Sequence, residues 1–282
     1  MATATVDAAA RPAPRRRAGS GTTLTAGSSL GLGIAITWFS LLVLIPLSAL
    51  VVTASERGWS GYIETITNPQ TMAAVRLTVG QSLLVTLINV VMGTLIAWVL
   101  VRDRFFGKAA LDVIIDIPFA LPTIVAGLVL LGLYGPNSPL GLDWAYSDRA
   151  VMLALAFVTL PFIVRTVQPV LGELDHDVEE AAASLGAGRL TIFRRVILPS
   201  LTPAICAGAA LSFARAIAEY GSLVLLSGNK PFETEVVSVR VLSFVENGST
   251  ASAAALASLM LAVALVVIVL LDVLQRWVSR RG

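Results

Sequence analysis

Charged side chains are scarce in this chain of 282 residues. Lysine, arginine, aspartate and glutamate together make up 13% of the sequence and hydrophobic residues 56%, whereas soluble domains carry roughly 25% charged residues. This scarcity excludes an ordinary soluble globular protein. The 20 basic and 18 acidic residues give a net charge of +2 without the basic patch or stripe that binds nucleic acid, so nucleic acid is not an expected partner.

Cysteine and histidine each occur once, as Cys206 and His176. A single cysteine cannot form an intramolecular disulfide or assemble a cysteine-based metal site. His176 lies between two aspartates, but neighbouring positions on a helix point apart, so we expect a solvated acidic helix start there and no metal site. The sequence also lacks the phosphate-binding pattern G-x-x-x-x-G-K-[ST] and a nucleophile with its base. We therefore expect no catalytic residues, no cofactor and no ATP hydrolysis in this chain.

Long stretches without any charge dominate the rest of the chain. A bilayer core about 30 Å thick needs roughly 20 apolar residues of helix. Six charge-free stretches meet or approach this length, namely residues 18–55, 77–101, 117–142, 150–164, 196–214 and 247–271. They predict an all-α polytopic membrane protein with six transmembrane helices, at about residues 30–53, 78–101, 114–134, 149–169, 203–227 and 253–274.

Lysine and arginine are unevenly divided between the two sides that six helices create. With the N-terminus inside, thirteen of them fall in cytoplasmic segments and five on the other side. Because cytoplasmic loops carry the excess of basic residues, both termini are predicted to be cytoplasmic. Residues 1–28, rich in Ala, Pro, Arg, Gly, Ser and Thr, are predicted to form a disordered cytoplasmic tail. Residues 29–278 form the transmembrane domain, and 279–282 the cytoplasmic C-terminal end.

One cytoplasmic loop, at about residues 171–200 between the fourth and fifth helices, has a distinctive pattern. Five acidic residues between 173 and 180 precede an alanine run, which suits the positive end of a helix dipole. Gly186 and Gly188 then break the helix, and a second amphipathic segment ends at Pro199, where we expect the fifth membrane helix to begin. The pattern predicts a helix, a glycine turn and a helix at the inner membrane face. Its exposed apolar positions fit either a protein partner or the lipid headgroups.

The same loop resembles a known motif. The sequence Glu180-Ala181-Ala182, followed by Gly186 and by residues 196–199 (Val-Ile-Leu-Pro), is similar to the EAA loop of permease subunits of type I ATP-binding-cassette importers, with Val196 where that family usually has Ile. In that family the loop docks into the ATPase subunit. The resemblance implies that coupling role for six residues here: Glu180, Ala181, Ala182, Gly186, Leu198 and Pro199. It also implies two ATPase subunits that bind ATP and magnesium, a homologous second permease subunit, an extracytoplasmic binding protein and the inner membrane of a bacterium.

Three further segments resemble a narrower group. Residues 116–127, 134–141 and 213–221 are similar to bacterial sulfate and thiosulfate permeases, particularly the T-type subunit, and more loosely to molybdate permeases. The resemblance implies sulfate or thiosulfate as substrate and a sulfate-binding protein as partner, with molybdate or tungstate as the alternative. An ATPase-independent secondary anion transporter is the alternative of a different class. The inverted repeats and chains of intramembrane acids common in such transporters are not evident in the sequence.

Five charged residues in or near the predicted membrane helices call for an explanation. Arg215 and Glu219 are spaced i, i+4 in the fifth helix, which fits either a structural ion pair or an arginine that lines the translocation path and offsets the charge of an oxyanion. Arg165 in the fourth helix is a second buried basic candidate, for which we expect a structural role with its side chain snorkelling to the membrane surface. Asp112 and Asp116 are expected to stabilise the N-terminal end of the third helix through its dipole.

Overall fold

The computed structural model describes residues 26–279 of the chain, and these are folded almost entirely into helices. Their order is α1 (Ala26–Phe39), α2 (Ile45–Ser55), α3 (Gly58–Thr67), α4 (Pro69–Arg102), α5 (Lys108–Ala120), α6 (Thr123–Tyr134), α7 (Asp148–Glu173), α8 (His176–Ser184), α9 (Arg189–Ile192), α10 (Leu198–Ile217), α11 (Gly221–Leu226), α12 (Val237–Glu246) and α13 (Thr250–Ser279). Two π-helical turns, Ser40–Leu44 and Phe193–Ile197, join α1 to α2 and α9 to α10. No strand occurs within this range, which confirms the predicted all-α class.

Five continuous helical stretches are long and apolar enough to cross a membrane: Ser28–Ser55, Pro69–Arg102, Asp148–Glu173, Arg189–Ile217 and Thr250–Trp277. The shortest has 26 residues, or roughly 39 Å at 1.5 Å per residue, which exceeds a hydrocarbon core of about 30 Å. The described residues divide into two compact units, residues 26–49 and 50–279. All functional contacts described below lie in the second unit. Of the predicted tail, residues 1–25 lie outside the described part, and residues 26–28 are helical.

The predicted third membrane helix is not one helix. Its two parts, α5 and α6, are bent by 116° at a break between Ala120 and Thr123. Leu121 has an extended backbone (φ −86°, ψ 133°) immediately before Pro122. The proline ring disfavours the α conformation in the residue that precedes it, which explains why the helix stops here. The prediction of a single helix over residues 114–134 is therefore wrong: α5 and α6 form either a broken span or a re-entrant loop.

The predicted fifth helix begins and ends earlier in the chain than predicted. It does not begin after Pro199, because α9, the π turn and α10 form one continuous helix from Arg189 to Ile217. In the π turn the Leu198 N–H donates to the carbonyl oxygen of Phe193, and this shift of the hydrogen-bond pattern accommodates the missing N–H of the next residue, Pro199. The helix then stops at Ile217, ten residues before the predicted end at 227, and the short α11 follows after three non-helical residues.

Helix α7 lies at the centre of the second unit, where it packs against α4 and α10. Glycine allows the close approach: a Cβ atom on Gly93 of α4 would lie 2.7 Å from Cβ of Ile163 on α7. Polar side chains add to the contact, since Asn89 Nδ2 donates to Thr159 Oγ1 at 2.9 Å. Small residues and interhelical hydrogen bonds are the usual means of helix association in lipid, because lipid tails are as apolar as the side chains and the hydrophobic effect does not favour association there.

Candidate functional site

The predicted helix, glycine turn and helix are present as α8, a tight turn and α9, which we name the α8–α9 elbow (residues 175–192). Helix α8 is capped by Asp175, whose side chain accepts the N–H of Asp177 at 2.9 Å. It ends in a left-handed residue, Gly186, at φ +86°. The Gly186 N–H donates to the Ala183 carbonyl at 2.9 Å and the Ala187 N–H to the Ala182 carbonyl at 3.1 Å, the hydrogen bonds of a Schellman motif.

The elbow presents an apolar surface that nothing in the second unit covers. Glu180, Ala181 and Gly186 are exposed, Ala182 is half-buried, and the Leu185 side chain at the turn is 90% exposed. An exposed leucine beside small alanine side chains suits close contact with another surface. The predicted coupling residues Glu180, Ala181, Ala182 and Gly186 thus lie together. Leu198 and Pro199 do not join them, because they form the first turn of α10.

The elbow is attached to the C-terminal end of α4 by contacts that the sequence did not reveal. Arg102 forms an ion pair with Glu179, and its Nη1 lies 3.0 Å from Nδ1 of His176. Its guanidinium lies 5.5 Å from the ring centroid of Trp98, and that ring meets Phe193 edge-to-face at 5.8 Å. Glu179 is 77 positions from Arg102, so no local pattern could have identified this pair. These contacts link the elbow to α4 as well as to α10.

Arg215 and Glu219 form the ion pair that their spacing predicts, with 2.6 Å between Nη1 and Oε2. The contact lacks hydrogen-bond geometry, so charge attraction carries it. Glu219 lies beyond the end of α10, and its side chain is fully buried while that of Arg215 is 30% exposed. Its Oε1 accepts both the N–H and the Oγ–H of Ser222 at 2.9 Å, and its carbonyl accepts Oγ–H of Ser238 at 2.7 Å. Glu219 therefore fixes the interruption between α10 and α11.

The interruption after α10 lies against the break before α6. A Cβ atom on Gly127 of α6 would lie 2.6 Å from the Ser222 carbonyl oxygen, and one on Gly221 would lie 2.8 Å from the Ile124 nitrogen. The two helices α6 and α11 thus contact each other backbone to backbone. The packing beside Ala218 and Tyr220 is tight, since Glu219 between them is 2% exposed.

Arg165 does not snorkel, because α5 supplies its partners. Its Nε and Nη2 donate to the two carboxylate oxygens of Asp116, each at 2.7 Å, and its Nη1 donates to Oδ1 of Asp112 at 2.7 Å. These ion pairs agree with the structural role predicted for Arg165, whereas its predicted snorkelling and the helix-dipole role predicted for Asp112 and Asp116 are wrong. Asp112 and Asp116 lie beyond the first turn of α5, too far along the helix to stabilise its N-terminus. Among the side chains described, no group of three or more His, Cys, Asp or Glu could hold a metal ion.

Known proteins are similar to this chain over most of its length. It is 42% identical over 262 residues to the sulfate transport system permease protein CysT of Salmonella typhimurium, which covers 90% of this chain and 95% of that protein. CysT of a Synechocystis species is 42% identical over 254 residues, covering 88% and 89% of the two chains. Residues 89–281 match the family described as the inner membrane component of binding-protein-dependent transport systems.

Solved structures show the same fold at much lower sequence identity. A bacterial alginate ABC transporter, crystallised with an alginate-bound periplasmic protein, superposes with a TM-score of 0.75 at 18% identity, over 89% of this chain and 94% of its counterpart. An inward-facing form of the methionine ABC transporter MetNI superposes with a TM-score of 0.59 at 17% identity. The match covers 75% of this chain and 99% of its counterpart.

Proposed function

Because the chain belongs to the family of inner membrane components of binding-protein-dependent transport systems, we propose that it is the permease subunit of an ATP-driven sulfate importer. The anion is supported by relatives named sulfate permeases that are 42% identical over about nine-tenths of the chain. The coupling to ATP is supported by one observation above all. The elbow carries the Glu180-Ala181-Ala182 and Gly186 pattern on an exposed turn, built into the start of a membrane-crossing helix.

The mechanism we infer is alternating access without covalent chemistry. An extracytoplasmic sulfate-binding protein delivers the anion, and two ATPase subunits, which bind ATP and magnesium, dock on the elbows of two permease subunits. The second permease subunit is a homologue of this chain. The chain itself needs no cofactor, and both of its termini lie in the cytoplasm of a bacterium, with the chain in its inner membrane.

The structure offers two mechanical routes from the elbow into the membrane. Helix α9 runs through the π turn into α10, so a displacement at Arg189 is carried along one continuous helical stretch of 29 residues to Ile217. This stretch ends beside Arg215 and the interruption that Glu219 fixes. The second route passes through the pair Arg102–Glu179 to α4. Closure of the ATPases would thus move two membrane helices together.

Arg215 is the residue we assign to the translocation path. Its side chain remains 30% exposed although its counter-charge is fully buried, and a planar guanidinium suits the oxygens of sulfate. A structural role and a path role are separated by three variants. Arg215→Gln leaves the buried Glu219 carboxylate without its counter-charge, which costs about 3–5 kcal/mol for a fully buried pair and less here. Arg215→Gln/Glu219→Gln removes both charges, so we expect it to restore protein level and thermal stability.

Sulfate uptake then decides between the two roles. If Arg215 lines the path, the double variant stays folded and assembled but transports sulfate poorly. Uptake restored to the level of the unchanged protein in the double variant would reject the path role. Glu219→Gln alone is the matched control, because it keeps Arg215 and an acceptor oxygen for Ser222.

Copurification tests the importer class itself. The tagged chain should retain an ATPase subunit after solubilisation of the membrane, and sulfate uptake into vesicles that hold the complex should require ATP hydrolysis. A chain that transports sulfate alone, driven by an ion gradient and without an ATPase, would overturn the proposal in favour of a secondary transporter.

A further inference from the structure

The ion-paired residues between α5 and α7 form what we name the α5–α7 charge cluster (Asp112, Asp116, Arg165 and Gln168). Asp112 and Asp116 follow Lys108 at intervals of four residues, so these three residues share one face of α5. Gln168 accepts from Arg165 Nη1 at 2.7 Å and donates to Asp112 Oδ1 at 3.3 Å. Two carboxylates face one guanidinium within the cluster, and Lys108 lies one helical turn before Asp112 on the same face of α5.

With α7 centred on the bilayer, the cluster lies below the membrane surface. Helix α7 spans roughly 39 Å and so extends past a hydrocarbon layer of about 30 Å by roughly 4–5 Å at each end if it is centred. Arg165 is eight residues, about 12 Å, from the last residue of α7, Glu173. Its Cα therefore lies about 7 Å inside the hydrocarbon layer, at a depth where lipid offers no partner for a charge.

None of these charges can reach the surface by extending its side chain. The guanidinium of Arg165 makes five hydrogen bonds, four to Asp112 and Asp116 and one to Gln168, which use all five of its N–H donors. Aspartate side chains are too short to snorkel. Even so, the side chains of Asp112 and Asp116 are 42% and 49% exposed. Partly exposed carboxylates at this depth require either water or another protein chain in front of them.

We infer that the α5–α7 charge cluster lines a water-filled passage that opens to the cytoplasm. Water solvates the exposed carboxylates directly, whereas a protein partner would need hydrogen-bond donors placed against them. The exposed face of α5 away from the cluster is apolar, because it carries the exposed side chains of Val113, Ile114 and Ile117. That face suits lipid or a second membrane subunit. The inference rests on the proposed function, because it assigns the cytoplasmic end of the anion path to α5 and α7.

Cysteine accessibility tests this placement with a matched pair. Cys206 is the single cysteine of the chain and is buried, so Cys206→Ser provides the background. Asp116→Cys places a thiol on the cluster, and Ile117→Cys places one at nearly the same depth about 100° around α5. Asp116→Cys leaves Arg165 paired with Asp112. The probe is the membrane-impermeant 2-sulfonatoethyl methanethiosulfonate, added to inside-out vesicles that contain the assembled complex.

We expect Asp116→Cys to be modified at least tenfold faster than Ile117→Cys. Slow modification of Asp116→Cys would overturn the inference, because the cluster would then face lipid or protein. Equal rapid modification of both would overturn it as well, since α5 would be solvated on all sides. If Asp116→Cys does not accumulate, Asp112→Cys and Val113→Cys form the second pair. The labelling needs no substrate, so a complex that fails to transport sulfate but shows the expected labelling rejects the proposed substrate and leaves the passage intact.

Discussion

Replacing Gly186 by valine tests the elbow as the ATPase-binding element. Gly186 has φ +86°, and a Cβ atom there would meet nothing within 4 Å, so backbone strain is the only cost of a side chain. An L-residue in the left-handed region costs about 1–2 kcal/mol, and a β-branched residue lies at the upper end. Gly188 is the matched control, because it has equally open surroundings but an ordinary backbone (φ −70°, ψ 158°).

The strain is relieved when the turn opens, which breaks the Schellman hydrogen bonds and misplaces Leu185. Gly186→Val should therefore weaken binding of the ATPase about 5- to 30-fold, the equivalent of 1–2 kcal/mol. Gly188→Val should bind within about twofold of the unchanged protein. Titration of the nanodisc-reconstituted permease with the ATPase subunit measures both, and the melting temperature of each permease shows that it is folded. Equal affinity of the two variants, or full sulfate uptake by Gly186→Val, would refute the reasoning.

Two further predictions follow from contacts of α4. Arg102→Gln removes the ion pair that attaches the elbow to α4. ATP hydrolysis should therefore continue, while the amount of sulfate taken up per ATP falls severalfold. The control is Arg104→Gln, which replaces an exposed arginine two residues further on and should change neither quantity. An unchanged transport-to-hydrolysis ratio in Arg102→Gln would reject the second route. Gly93→Ala forces Cβ to within 2.7 Å of Ile163 and should destabilise the bundle by about 1–3 kcal/mol, whereas Gly80→Ala on the same helix, with open space around it, should not lower the melting temperature.

The candidate membrane spans were predictable because a helix that crosses the bilayer needs a long stretch of residues without charge. Charge-free stretches identified all five continuous candidate spans and the bent pair α5 and α6, although not their ends. The break in the third had a local signal, since Leu121 precedes Pro122 and Pro118 lies one turn earlier. The end of α10 had no such signal. It depends on Glu219, whose carboxylate is held by Arg215 and Ser222 only in the folded chain.

The residues of the candidate site were likewise predictable from the sequence only where their contacts are local. The glycine turn of the elbow was predictable because Gly186 and its preceding alanines are contiguous, and their hydrogen bonds are local. The partners of Arg165 were not, because Asp112 lies 53 residues away on another helix. Charge and burial each gave a reason to single out Arg165, but only the packing of α5 against α7 shows what neutralises it.

Uptake of radiolabelled sulfate tests the central claim most directly. It is measured in cells that express the binding protein, the ATPase and the sister permease, with and without this chain, and with excess unlabelled thiosulfate or molybdate as competitor. We predict uptake that depends on this chain and on ATP and is suppressed by thiosulfate. Sulfate uptake that does not change when this chain is removed, while molybdate uptake is lost, would contradict the claim.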